Sequence, residues 1–373
     1  MPTAAAFIRG WFSEPAPTFE IRQPSARWGT PHPHQARLRL RVAGIVQETP
    51  TVRTFVLESA DRARPLAYSA GQHLTLLVDI DGTTHRRCYS FSTSPESGDR
   101  PAITVKRDPG GLVSRFLHER IRTGDSLTAT EPSGPFTLDT DAALSRTVVF
   151  VAGGVGITPL VSLAETLLHR EPASRAILLC GNRSEEEIIF RRRLAALESA
   201  FGGRLTVRHA IDSAPAGWDG LAGPLDGTRV LSILGDDSAD AYFVCGPEAM
   251  MQSVLSALAG RGVPQERIRT ERFAYASTNA TQVPAHAAEI TFSSSGRRVT
   301  AKPGQTILQA GLEAGLDLPY SCTMGGCGAC KVRKSSGTVV MSEPNCLTAR
   351  EREDGYVLAC CCYADTPVTI DSH

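Results

Sequence analysis

The chain has 373 residues, enough for two or three domains that each bury a core. Lys plus Arg and Asp plus Glu both number 39, so the formal net charge is zero, which argues against a nucleic-acid binder with its usual basic excess. No apolar run approaches a membrane span, and Ala4-Ala5-Ala6-Phe7-Ile8 is too short for a signal-peptide core. A reducing cytoplasm is therefore expected for its 10 cysteines.

Residues 1–36 show no clean periodicity. Pro15, Pro17, Pro24, Pro31 and Pro33 prevent long helices and sheet pairing. Phe7, Trp11, Phe12, Phe19, Ile21 and Trp28 make the segment too apolar for a solvated tail, so an arm packed on its own protein is expected, with a docking arm for a partner as the alternative.

From Leu38 to Thr130 the pattern is short strands. Arg37 to Val42 alternates strictly, Thr51 to Leu57 follows a Thr-Pro break, and His73 to Ile80 turns at Asp81-Gly82 into a return strand from His85 to Ser92. Ala102 to Arg107 adds a strand and Leu112 to Ile121 a helix. A small antiparallel β-barrel over residues 37–140 follows from this spacing. Two motifs sit in it. Arg87 and Tyr89 share a strand face, where a guanidinium can take a phosphate and a phenol can stack on a flat heterocycle. Gly110-Gly111-Leu112-Val113-Ser114 opens the helix and reads as an anion site.

At Thr147 the pattern changes to alternating strands and helices, which predicts an α/β domain with a parallel sheet over residues 141–275. The apolar strand Thr147–Ala152 runs into Gly153-Gly154-Val155-Gly156-Ile157-Thr158-Pro159, with Thr158 as the expected helix N-cap and Pro159 as the first helical residue. The third glycine of a dinucleotide fingerprint is replaced by Pro159, so the loop alone predicts only a phosphate turn. The second strand ends in Gly181-Asn182-Arg183-Ser184. An arginine there accommodates a ribose 2′-phosphate, so NADPH is expected, with NADH as the other candidate. Glu185, Glu186 and Glu187 are expected at the start of the next helix. A later strand, Ala241–Cys245, ends in Gly246-Pro247.

Residues 276–288 read as a flexible Ala/Ser/Thr-rich linker, and residues 289–373 as a third domain. Its centre is Cys322-x4-Cys327-x2-Cys330, with glycines at 325, 326 and 328 and a distant Cys360. Thiolates suit iron, glycines admit a close backbone, and this spacing is the plant-type [2Fe–2S] signature. Structural zinc would show paired knuckles instead. Cys360, Cys361 and Cys362 read as a strand, which puts Cys360 and Cys362 on one face. Cys360 is the expected fourth ligand and Cys362 the alternative.

Leu318-Pro319-Tyr320-Ser321-Cys322 through Val357-Leu358-Ala359-Cys360 resembles the cluster loop and last ligand of plant-type ferredoxins. Arg87-x-Tyr89-Ser90, the glycine loop and Cys245-Gly246-Pro247 resemble the flavin and nicotinamide motifs of the ferredoxin–NADP reductase superfamily. The domain order resembles that of phenylacetyl-CoA-epoxidase and ketosteroid-hydroxylase reductases. The resemblance implies a multidomain chain: an FAD barrel, a nicotinamide α/β domain and a β-grasp [2Fe–2S] domain. It implies that Arg87 holds the flavin phosphate, that Tyr89 stacks on the isoalloxazine, and that Ser90 lies at its reactive edge. Gly111, Leu112, Val113 and Ser114 bind the FAD pyrophosphate, with Lys106 as a weaker candidate. Gly153, Gly154 and Gly156 let the dinucleotide approach, and Thr158, Cys245, Gly246 and Pro247 lie at the nicotinamide. Phe273 either reaches the flavin or is an ordinary core residue. The implied catalytic set is Ser90, Thr158 and Cys245. The implied partner is an oxygenase, hydroxylase or desaturase component. The competing readings are a redox sensor without turnover and a reductase of a small-molecule acceptor.

Overall fold

The computed structural model describes residues 37–61, 64–235, 238–273, 283–343 and 345–371. The expected N-terminal arm and the first part of the expected linker lie outside the described residues.

Six strands build the first sheet: β1 (Arg37–Thr49), β2 (Val52–Ser59), β3 (His73–Ile80), β4 (Thr83–Ser90), β5 (Ala102–Lys106) and β6 (Ser126–Thr130). Their order is β4-β3-β6-β1-β2-β5, and a bridge from Phe91, just past β4, to Ile103 of β5 joins the two edges. Alternation drives the closure: on β1, Leu40 and Val42 are buried while Arg37 and Arg41 face outward. Two register shifts in β1, between Val42 and Gly44 and between Gln47 and Thr49, supply the bend. Asp81 (φ 50°) and Gly82 (φ 76°) make the expected tight turn between β3 and β4. Helix α1 (Leu112–Arg120) buries Val113 and Leu117.

The second sheet is wholly parallel, in the order β10-β9-β8-β7-β11-β12. Its strands are β7 (Thr147–Gly153), β8 (Arg175–Asn182), β9 (Leu205–Ile211), β10 (Leu221–Ala222), β11 (Ala241–Cys245) and β12 (Ile268–Glu271). The crossovers carry α2 (Ile157–Arg170), α3 (Arg191–Ala200), α4 (Gly227–Leu234) and α5 (Glu248–Gly260). Central β7 is apolar on both faces: Val148 and Phe150 join one core, Val149 and Val151 the other. The strand order reverses between β7 and β11, which makes their carboxyl ends the topological switch point.

Two local expectations are corrected here. Thr158 is not an N-cap: a 3₁₀ turn, Gly154–Gly156, comes first, Gly156 caps α2, and the Thr158 hydroxyl donates to the Val155 carbonyl at 3.0 Å. Glu185–Glu187 form their own 3₁₀ turn, and α3 starts only at Arg191. The reason is the intervening run Ile188-Ile189-Phe190, all buried, which turns inward and leaves Phe190 at φ 60°.

The C-terminal sheet has the order β14-β13-β19-β15-β17, beside a separate β16-β18 pair. The strands are β13 (Ala288–Phe292), β14 (Arg297–Ala301), β15 (Lys331–Ser336), β16 (Val339–Met341), β17 (Tyr356–Leu358), β18 (Cys362–Ala364) and β19 (Val368–Asp371). Helices α6 (Ile307–Glu313) and α7 (Ala349–Glu353) each start with a capping box, Thr306 with Gln309 and Thr348 with Glu351. The expected strand through the three adjacent cysteines is broken: Ala359–Cys361 is a 3₁₀ turn, and only Cys362 is in β18. The Ala359 N–H still donates to the Cys330 carbonyl at 3.0 Å, one step beyond the β15–β17 pairing, and the turn follows from there. The chain forms two compact units. One holds Arg37–Val78 and Tyr89–Glu271; the other holds Asp79–Cys88 and the residues from Arg272 onward.

In the first unit the Glu171 carboxylate is fully buried. It accepts from Arg146 Nη2 at 2.6 Å, Arg146 Nε at 3.0 Å and Ser174 Oγ at 2.7 Å. Removing the cation leaves an uncompensated buried charge, so Arg146→Ala is expected to cost ~3–5 kcal/mol, read as a lower urea midpoint by far-UV circular dichroism.

Candidate active site and cluster site

At the switch point the chain leaves a cavity of about 330 Å³. Gly153, Gly154, Arg183, Asp212, Pro247 and Lys106 line it. Gly154 (φ 51°) has open space where a Cβ would be, so its backbone faces the cavity directly. Gly156 serves a different end. A Cβ there would lie 2.2 Å from the Cys245 carbonyl oxygen, so only glycine lets the turn after β7 pack on the end of β11. Ser184, named with Arg183 from sequence, is not among the lining residues, whereas Glu187 and Asp212 are. Lys106 closes β5 and faces this cavity, which the sequence alone did not reveal.

Behind the cavity stands a group that the sequence only half disclosed. Parallel register sets Glu271, the last residue of β12, beside Cys245, the last of β11. The Ser90 hydroxyl donates to the Glu271 carboxyl at 3.2 Å. Burial pushes the Glu271 carboxyl up to about 8, against the lowering effect of that hydrogen bond. Burial also holds the Cys245 thiol well above its usual range, with the Glu271 charge adding to the effect. Ser90, Cys245 and Glu271 thus form one buried constellation. Its available signal was an acid ending a short strand next to the strand of Cys245. Thr158 is buried in the first turn of α2. Phe273, two residues past Glu271, is 38% exposed, which rules out the core reading.

Arg87 and Tyr89 lie on β4, both partly exposed. Arg87 Nη1 donates to the Arg86 carbonyl at 2.8 Å. In the Gly111 turn, Ser114 Oγ accepts from the Asp108 N–H at 3.1 Å, and a Cβ on Gly111 would lie 2.4 Å from that oxygen. Leu112 is exposed, but Val113 is a core side chain, so only its backbone is on offer to a ligand.

The loop 322–330 gathers sulfur. The Cys322 and Cys327 thiols are in hydrogen-bond contact, and so are those of Cys330 and Cys360. Backbone N–H groups aim at these atoms: Met324 to Cys322 Sγ at 3.3 Å, Gly325 to Cys360 Sγ at 3.3 Å, and Cys322 to Cys327 Sγ at 3.5 Å. Thr323, Gly325 and Gly328 all take positive φ, which lets successive amides converge on one point. Four soft donors with converging N–H groups fit a [2Fe–2S] centre. Cys362 sits with its backbone opposite Met341 in β18 and its side chain in the domain core. Cys346, unassigned from sequence, donates its N–H to the Gly325 carbonyl at 2.9 Å and packs against the loop.

Among the described residues, no helix is long and apolar enough to cross a membrane. Three family models match in succession: an oxidoreductase FAD-binding domain over residues 39–138, an oxidoreductase NAD-binding domain over 150–256, and a 2Fe-2S iron-sulfur cluster binding domain over 290–365. The glycine betaine monooxygenase reductase subunit of Pseudomonas aeruginosa is 33% identical over 353 residues, 89% of this chain and 94% of that protein. A subunit of the 1,2-phenylacetyl-CoA epoxidase of Escherichia coli is 34% identical, over 86% of this chain and 93% of that one. Phthalate dioxygenase reductase, a solved structure described as a modular structure for electron transfer from pyridine nucleotides to [2Fe-2S], aligns at TM-score 0.61 and 25% identity. That alignment covers 90% of this chain and 98% of that one. These matches run nearly end to end and agree in domain order with the three folded regions described above. The chain belongs to the ferredoxin–NADP reductase superfamily, in its three-domain branch of FAD-containing reductases with a C-terminal plant-type [2Fe–2S] domain.

Proposed function

We propose that the chain oxidises a reduced nicotinamide dinucleotide and delivers the electrons one at a time to an oxygenase, hydroxylase or desaturase component. The observation that carries this reading is the pairing, in one chain, of a cavity at the switch point of an α/β sheet with a four-thiol loop lined by N–H donors. When bound, the nicotinamide would supply a hydride and leave as NAD(P)⁺, and the flavin would take that hydride and pass on its two electrons singly through the cluster while its proton goes to solvent. Ten free thiols suit a reducing cytoplasm, where such a donor is available.

The chain's own residues orient, bind and hold protons. Arg87 takes the flavin phosphate, Tyr89 stacks on its ring, and the Gly111–Ser114 turn takes the pyrophosphate. Gly153 and Gly154 bring backbone to the dinucleotide, with Gly246 and Pro247 shaping the opposite wall. Lys106, placed in the cavity wall, is assigned to the dinucleotide phosphates rather than to the flavin. Ser90 and Cys245 border the reacting ring edges, Thr158 supports the loop beneath them, and Phe273 covers the flavin from outside. Glu271 holds a proton at neutral pH and keeps the Ser90 hydroxyl oriented. Cys322, Cys327, Cys330 and Cys360 hold the cluster. Arg183 favours NADPH by receiving its 2′-phosphate, while Glu187 and Asp212, on the same cavity wall, admit NADH by accepting from ribose hydroxyls.

Three outcomes test this reading. Dithionite-reduced protein should give the electron paramagnetic resonance signal of a [2Fe–2S] centre. Cys322→Ser, Cys327→Ser, Cys330→Ser and Cys360→Ser should each lose it together with cytochrome c reduction, yet keep ferricyanide reduction from the flavin. Cys361→Ser and Cys362→Ser should keep the signal, and a wild type that cannot reduce cytochrome c would overturn the relay.

For the nucleotide, wild type should show the higher kcat/KM with NADPH. Arg183→Ala should lose about tenfold with NADPH and little with NADH, as expected for one charge-assisted contact of ~1.5 kcal/mol.

For Glu271, the folded protein keeps a proton that the unfolded chain has already released above its ordinary pKa of 4.5. Stability therefore falls as pH rises from 4.5 to about 8 and levels off beyond it. Glu271→Gln should flatten that slope in urea titrations at several pH values.

A further inference from the structure

Arg86 immediately precedes the flavin-strand arginine, and no role above uses it. Its Nε donates to the Ser321 carbonyl at 2.6 Å. Its guanidinium lies over the Tyr320 ring, 5.1 Å from the centroid. Tyr320 and Ser321 are the two residues just before the cluster-loop Cys322. Two positions further along β4, the Cys88 thiol is in hydrogen-bond contact with the Cys322 and Cys327 thiols. Arg86, Cys88, Tyr320, Ser321 and the loop all belong to the same compact unit. Strand β4 then continues without a break into Tyr89 and Ser90.

We infer that Arg86 is a positioning residue for electron transfer: it clamps the cluster loop to the strand that carries the flavin-binding residues. The inference rests on the relay proposed above and adds the device that fixes its middle step. The residue type suits the task. A guanidinium can stack on an aromatic face while its in-plane N–H donates to a carbonyl, which an ammonium cannot reproduce. The carbonyl it grips belongs to the peptide that leads into Cys322, so the clamp acts on the backbone next to a ligand and not on a distant surface. No bond is made or broken at the clamp; its effect is to hold the peptide before Cys322 in one position against Arg86.

The test uses full-length protein carrying both flavin and cluster. Arg86→Ala should keep flavin content, cluster content and ferricyanide reduction. Its rate of cluster bleaching after mixing with reduced nicotinamide should fall several-fold, because the loop is no longer held in one position against β4. Hydrogen exchange should speed up at the amides of residues 320–324, a readout independent of turnover. Arg86→Lys should recover only part of the rate. Equal bleaching rates and equal exchange in wild type and Arg86→Ala would overturn the clamp. A wild type whose cluster never bleaches would instead refute the relay itself. If Arg86→Ala loses flavin, Tyr320→Leu and Arg86→Lys carry the test: slower bleaching with faster exchange supports the clamp, and wild-type behaviour in both refutes it.

Discussion

The site depends on one close approach. The ends of β7 and β11 lie so near that residue 156 has no room for a Cβ beneath the Cys245 carbonyl. That contact is possible only at the switch point, where two parallel strands diverge into helices on opposite faces of the sheet. The same carboxyl ends carry the cavity wall at Gly153, Gly154 and Pro247 and, through the β11–β12 register, the pairing of Cys245 with Glu271.

The cluster loop solves a different problem with the same material. A thiolate-rich centre concentrates negative charge, and backbone amides are the donors that can approach it most closely. Positive φ at Thr323, Gly325 and Gly328 turns those amides inward. The loop thus depends on conformations that most side chains would resist, and the glycines at 325 and 328 follow from that demand.

Much of this was legible in the sequence, because periodicity and turn chemistry are local. The hairpin at Asp81-Gly82, the apolar β7 and the spaced cysteines needed no tertiary information. The misreadings share a cause. Thr158 has the composition of a helix cap, but the preceding glycines wind a 3₁₀ turn that displaces it. The Glu185–Glu187 run looked like a helix start until the buried Ile188-Ile189-Phe190 segment interposed itself. Cys360 looked like a strand residue, but the β15–β17 pairing ends at Ala359 and the chain turns through Cys361 before β18 begins. Glu271, Asp212 and Lys106 owe their positions to strand register and to surfaces distant in sequence, which no local pattern encodes.

The order of strands in the C-terminal sheet bears on how the cluster is acquired. Its central strand, β19, pairs with β13 on one side and β15 on the other, yet follows Cys322, Cys327, Cys330 and Cys360 in the chain. During synthesis each of these thiols has emerged before the strand that completes their scaffold. The pairing of β13 with β19 joins residues almost eighty positions apart (Ile290 with Val368), a slow kind of closure. The nascent domain therefore passes through a stage in which all four of these thiols have been made while the sheet that gathers them still lacks its central strand.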